Sequence, residues 1–114
     1  MNKARSVFVA VSLCLLCACA SSADAPSEIG LIEDGRDIAI AECAQCHAVG
    51  GYGQSPLPSA PPFRALFSRY RAEVLEEELI AGIRVAHPMP DFQFNPQGAD
   101  ALIAYLRSIQ NTED

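Results

Sequence analysis

The five residues Cys43-Ala44-Gln45-Cys46-His47 constrain this chain more than any other stretch. They read C-x-x-C-H, the attachment signature for c-type haem. On a helix, positions 43, 46 and 47 share one face, being three and four residues apart. Two thiols so placed reach the two vinyl groups of one porphyrin while the adjacent imidazole meets the iron. Structural zinc needs further Cys or His ligands, and beyond the leader the chain offers only His87. A thioredoxin-like pair belongs beside a βαβ pattern, and no convincing strand alternation is present. A disulfide across two intervening residues closes a tiny loop and stabilises little.

The chain has 114 residues, which allows one domain. Lys3 and Arg5 precede an apolar run from Val7 to Cys19, the layout of a secretory signal peptide and short for a membrane span. Small residues at Ala18, Ala20 and Ala23 suit cleavage after Ala20 or Ala23, so residues 1–23 are expected to leave. A sharper reading takes Leu16-Cys17-Ala18-Cys19 as a segment that resembles a bacterial lipoprotein signal, with Cys19 as a lipidated N-terminus. The stretch from Ala20 to Ser27 then supplies a flexible tether. The folded domain is expected from about residue 29 to residue 114, with residues 24–28 as its tether. Of the five cysteines, Cys43 and Cys46 are the only ones in that domain.

Without Lys3 and Arg5, six basic side chains face fourteen acidic ones, a formal charge of −8, and no lysine is left. Such a chain does not bind nucleic acid or an anionic membrane surface by electrostatics. Its protein partners are expected to present a basic or an apolar docking patch.

Residues from about Glu28 to His47 read as a helix, with Ile29, Ile32, Ala39 and Cys43 on the apolar side. Gly35 in its middle costs about 1 kcal/mol relative to alanine. It marks either a break or a crossing too close for a Cβ. Residues 48–62 carry three glycines and four prolines without a period, a loop whose length needs a reason. Wrapping a haem edge supplies one, and Ala60-Pro61-Pro62-Phe63 lies where a carbonyl is needed to accept Nδ1–H of His47. A plain change of chain direction is the alternative.

Phe63 to Tyr70 reads as a short helical piece, and Ala72 to Ala81 as a helix stopped by Gly82. Glu76-Glu77-Glu78 reads as a solvated face, with a docking surface as the minority reading. Met89 is the only methionine after the leader, held between Pro88 and Pro90 on a stiff segment. It is the candidate sixth iron ligand, because His/Met ligation is usual in small c-type cytochromes. His87 competes for the same position; otherwise it is an ordinary loop histidine. The last helix runs from Pro96 to about Ile109, with Asn95 as N-cap and Ala99, Leu102, Ile103, Leu106 and Ile109 buried. Tyr105 is expected to pack across the first helix at Gly35, and residues 111–114 to fray.

Taken together, Gly35, Ala39, the Cys43–His47 motif, Ala60-Pro61, Met89-Pro90 and Leu102-x-x-Tyr105-Leu106 resemble the class I (mono-haem) bacterial cytochrome c family. The likeness spans about Ile29 to Gln110. It implies a small all-α fold whose first and last helices cross near right angles, with loops wrapped round the haem. It implies one covalent haem c, thioethers from Cys43 and Cys46, axial His47 and Met89, and a carbonyl from Pro61 on His47. Many members dock through a ring of lysines, which this chain lacks.

Six-coordinate iron leaves no open site for a substrate, so one-electron transfer in the bacterial periplasm is the expected role, without independent catalysis. The protein is then a free monomeric carrier, soluble or lipid-anchored. A dedicated haem subunit of a periplasmic oxidoreductase complex is the alternative, and a haem-based ligand sensor or peroxidase comes third.

Overall fold

The computed structural model describes residues 26–83 and 89–110. The leader with Cys19, residues 24 and 25 of the tether, His87 and residues 111–114 lie outside the described residues. Among the described residues there are helices and no strand, the expected all-α class. The elements are α1 (Glu28–Ile38), a π-helical turn (Ala39–Cys43), a 3₁₀ helix (Phe63–Ser68), α2 (Ala72–Ala81) and α3 (Pro96–Ile109).

Each helix begins and ends for a local reason. Ser27 caps α1, its Oγ accepting from the Gly30 N–H at 3.1 Å. Asn95 caps α3 in the same way through Gly98 at 2.8 Å, and Pro96 takes a first-turn position whose N–H has no helical partner anyway. Gly82 stops α2 at φ 96°, a backbone region that L side chains avoid.

The first helix departs from its sequence reading. The α geometry ends at Ile38, and the next five residues form a wider turn before the chain bends through Ala44–His47. Apolar spacing cannot reveal one extra residue in a turn whose outer positions are exposed anyway. One helical step survives beyond it: Cys46 and His47 both donate backbone N–H to the Cys43 carbonyl, at 3.2 and 2.9 Å. Ile29, expected on the buried side, is 71% exposed, because nothing among the described residues covers the first turn of α1.

The core lies where α1 crosses α3, with the 3₁₀ helix and α2 also packed against α3. Ala39, Ala99, Leu102, Ile103 and Leu106 are its buried centre, joined by Phe63, Leu66 and Leu79. Gly35 is the crossing point. A Cβ there would run into the Ala101 backbone and lie 2.8 Å from Tyr105 Cβ, so the close-contact reading of this glycine holds.

Tyr105 packs at Gly35 and donates its hydroxyl to the Val49 carbonyl at 2.7 Å, tying α3 to the segment just after the motif. Burial raises its phenol pKa, with Arg36 opposing. The folded state therefore favours the neutral phenol. Its contribution to stability is complete below the ordinary value of 10 and is lost as pH climbs toward the raised one. In Tyr105→Phe, urea unfolding should show a loss of about 1 kcal/mol near neutral pH and a flatter decline above pH 10 than in the parent. An unchanged alkaline slope would assign that decline to other groups.

Candidate functional site

The loop from residue 48 to residue 62 folds back onto the motif. Leu57 donates its N–H to the Cys46 carbonyl at 3.1 Å, Ala48 donates to Ser55 Oγ at 3.0 Å, and Phe63 donates to the Ala48 carbonyl at 2.9 Å. The Arg64 guanidinium holds the Gly53 carbonyl at 2.8 Å. These bonds bring Pro61 beneath the imidazole: His47 Nδ1 lies 2.8 Å from the Pro61 carbonyl oxygen. A carbonyl only accepts, so Nδ1 carries the proton and Nε2 keeps its lone pair free. The Phe63 ring sits against the imidazole, centroids 5.2 Å apart and tilted by 52°.

Across the molecule, the strap after Met89 is fastened to the end of α2. Phe94 donates its N–H to the Leu79 carbonyl at 3.0 Å, and the Gln93 amide reaches the Ile80 carbonyl at 3.3 Å. Both acceptors belong to the last turn of α2, whose carbonyls lack helical partners. Phe92 and Phe94 stack at 6.1 Å.

Between these two halves lies a cavity of about 360 Å³. Cys43, Cys46, His47 and Met89 all line it. The rest of the wall is mainly apolar, from Leu79, Leu102 and Leu106 to Phe92 and Phe94. Burial, with Glu42 adding, pushes the Cys43 thiol up to about 11, so it stays a neutral thiol in this wall. Two thiols, one imidazole with a free Nε2 and one thioether are a soft sulfur and nitrogen set suited to an iron porphyrin. A haem therefore fits the residues present.

Sequence reasoning did not single out several wall residues. Leu57, Tyr70 and Val74 line the cavity, yet each keeps more than 40% of its surface exposed. Tyr70 follows the 3₁₀ helix and Val74 lies in the first turn of α2, and the partner of both is the cavity. Arg69 brings a cation to the wall and Glu78 an anion. Nothing in the local pattern separates Arg69 from its neighbour Arg71.

The family model for cytochrome c matches residues 32–110, which takes in the motif, the loop, α2, the strap and α3. Comparison with curated proteins and with solved structures found no match. Members of the matched family carry covalent haem c and serve in electron transfer, and one haem suits a domain of this size. With the match covering more than half of its length, this chain belongs to the cytochrome c family.

Proposed function

We propose that this chain is an exported one-electron carrier, with Cys43 and Cys46 anchoring a haem by thioethers and His47 and Met89 as its axial ligands. The 2.8 Å contact between His47 and Pro61, inside a cavity that Met89 also lines, carries this reading. The bound haem supplies a reversible Fe(III)/Fe(II) couple. The Pro61 carbonyl holds Nδ1–H, which fixes the tautomer and strengthens donation from Nε2. Met89 closes the remaining coordination position to exogenous ligands. The apolar wall excludes water, which favours the state of lower charge. Arg69 offers an anionic ring substituent a counter-charge at the rim.

The leader supports export to a bacterial periplasm, with the mature protein released or tethered at Cys19. Partners are redox proteins that present a basic or apolar patch. Exposed Glu73, Glu77 and Glu78 on α2 and the lack of lysine after Lys3 favour such partners. An absorption spectrum and redox titration of the purified protein test the reading. The expected result is a reversible one-electron couple with the ferric Met–iron band at the red end of the spectrum, and no CO binding when reduced at neutral pH. In Met89→Ala that band should vanish and CO should bind stoichiometrically. Because His87 sits two residues away, the same test on His87→Ala/Met89→Ala removes it as a substitute ligand. CO binding to the reduced parent would overturn the carrier reading in favour of ligand chemistry.

A further inference from the structure

Gln110, the first residue past α3, makes three hydrogen bonds through its side-chain amide. Oε1 accepts from the Phe67 N–H at 3.0 Å, while Nε2 donates to the Phe63 carbonyl at 2.9 Å and the Leu106 carbonyl at 2.7 Å. Phe63 and Phe67 stand four apart. Their carbonyl and N–H are the pair that would bond directly in an α-turn. The Gln110 amide is inserted between them and presents an acceptor to the donor and a donor to the acceptor. Its other donor bond returns to α3 through Leu106. One side chain thus bolts the 3₁₀ helix onto the last turn of α3.

The bolted segment is the one that orients the imidazole. Three backbone groups of this segment are fixed from three directions: the Pro61 carbonyl by His47, the Phe63 N–H by Ala48, and the Phe63 carbonyl by Gln110. The Phe63 ring also rests against the His47 ring. The first two ties both come from residues 47 and 48, so they move with the motif. Of these three hydrogen bonds, only the one from Gln110 refers the segment to α3, adding a directional tie to the apolar packing of Phe63 there; Leu102 and Leu106 of α3 form part of the cavity wall.

We propose that Gln110 is a positioning residue for the axial histidine: its side-chain amide sets where the Pro61 carbonyl stands against His47 Nδ1 and so tunes how strongly the imidazole donates. This rests on His47 being an iron ligand, as argued above. A slacker Nδ1–H···O bond makes the imidazole a weaker donor, stabilises Fe(III) less and moves the couple toward Fe(II).

The test uses holo-protein carrying Gln110→Met, which keeps the length of the side chain and removes all three bonds. Expected are faster solvent exchange of the His47 Nδ1 proton by NMR and an Fe(III)/Fe(II) ratio against a fixed mediator shifted roughly two- to tenfold toward Fe(II), the span of one neutral hydrogen bond. The Met–iron band should persist. Arg107→Ala, an exposed α3 change, should move neither readout. Lower thermal stability in Gln110→Met with an unchanged redox ratio and unchanged Nδ1–H exchange would reduce the amide to a structural tie and overturn the proposal. Should that variant fail to fold, the parent decides: Gln110 side-chain amide protons as exchangeable as those of exposed Gln97 would overturn it, and protected ones would support it. A parent lacking a histidine-ligated haem signal would instead defeat the underlying ligand assignment.

Discussion

A Cys43→Ala/Cys46→Ala variant, exported with haem-attachment machinery, should yield no covalent pigment by the pyridine haemochrome assay, and after acid–acetone extraction it should be largely unfolded. The thiols are the only cysteines of the five that lie among the described residues, so nothing else there can replace them. The second half of the expectation is energetic. Leu57, Tyr70 and Val74 stay 41%, 45% and 45% exposed on the wall of the cavity, where a bound haem would cover them. Fully burying such a side chain is worth about 1.5–3 kcal/mol, and covering the part of each that is still exposed about 1 kcal/mol. Summed over the three, what remains to be buried is worth about 3 kcal/mol, a large share of the stability of an ordinary domain, about 5–15 kcal/mol. A small domain that forgoes this burial falls on the unfolded side. Far-UV circular dichroism should therefore lack a cooperative melt. A near-native signal and a sharp transition in the haem-free variant would show that the α1–α3 core suffices alone.

Gly35→Ala should cost about 2–3 kcal/mol, and Gly35→Val more, read from urea unfolding of the holo-protein. Two effects compete here. Alanine in place of glycine inside a helix gains about 1 kcal/mol of propensity. Against that, the new methyl runs into the Ala101 carbonyl and the Tyr105 Cβ, atoms whose positions the α3 backbone fixes, so they cannot swing aside. The helices must separate, which opens the packing of Ala39 against α3 and strains the Tyr105–Val49 bond. The clash wins. Asp34→Ala, exposed on the neighbouring position, serves as the control and should change stability by less than about 0.5 kcal/mol. A neutral or stabilising Gly35→Ala would mean that α1 and α3 do not meet as closely in solution.

The parts of the molecule legible beforehand are those whose physics is local. Asn95 with Pro96 marks the start of α3, Gly82 the end of α2, and the three- and four-residue spacing of Ala99, Leu102, Ile103 and Leu106 marks a buried stripe. Gly35 was legible because a helix-breaking residue inside an apolar repeat needs a steric reason. What stayed hidden depends on contacts between distant residues. Gln110 meets Phe63 across 47 positions, and a lone amide after a helix carries no signal of that. The wall roles of Leu57 and Arg69 depend on how the loop folds. The end of α1 was misread because an added residue leaves the polar–apolar order intact. Pro61 was reached through the resemblance, not through its spacing from His47.

That added residue has a consequence of its own. The front of α1 is locked in rotation by a backbone-to-backbone meeting with α3, while Cys43 must present its sulfur to the cavity. An α-helix turns by about 100° per residue, so a rigid rod satisfies both demands only at certain lengths. The loose winding at Ala39–Cys43 works as an angular shim, which uncouples the aim of the thiol from the seating of the helix. One residue fewer in that turn would swing the thiol by about 100° while α1 stayed seated on α3.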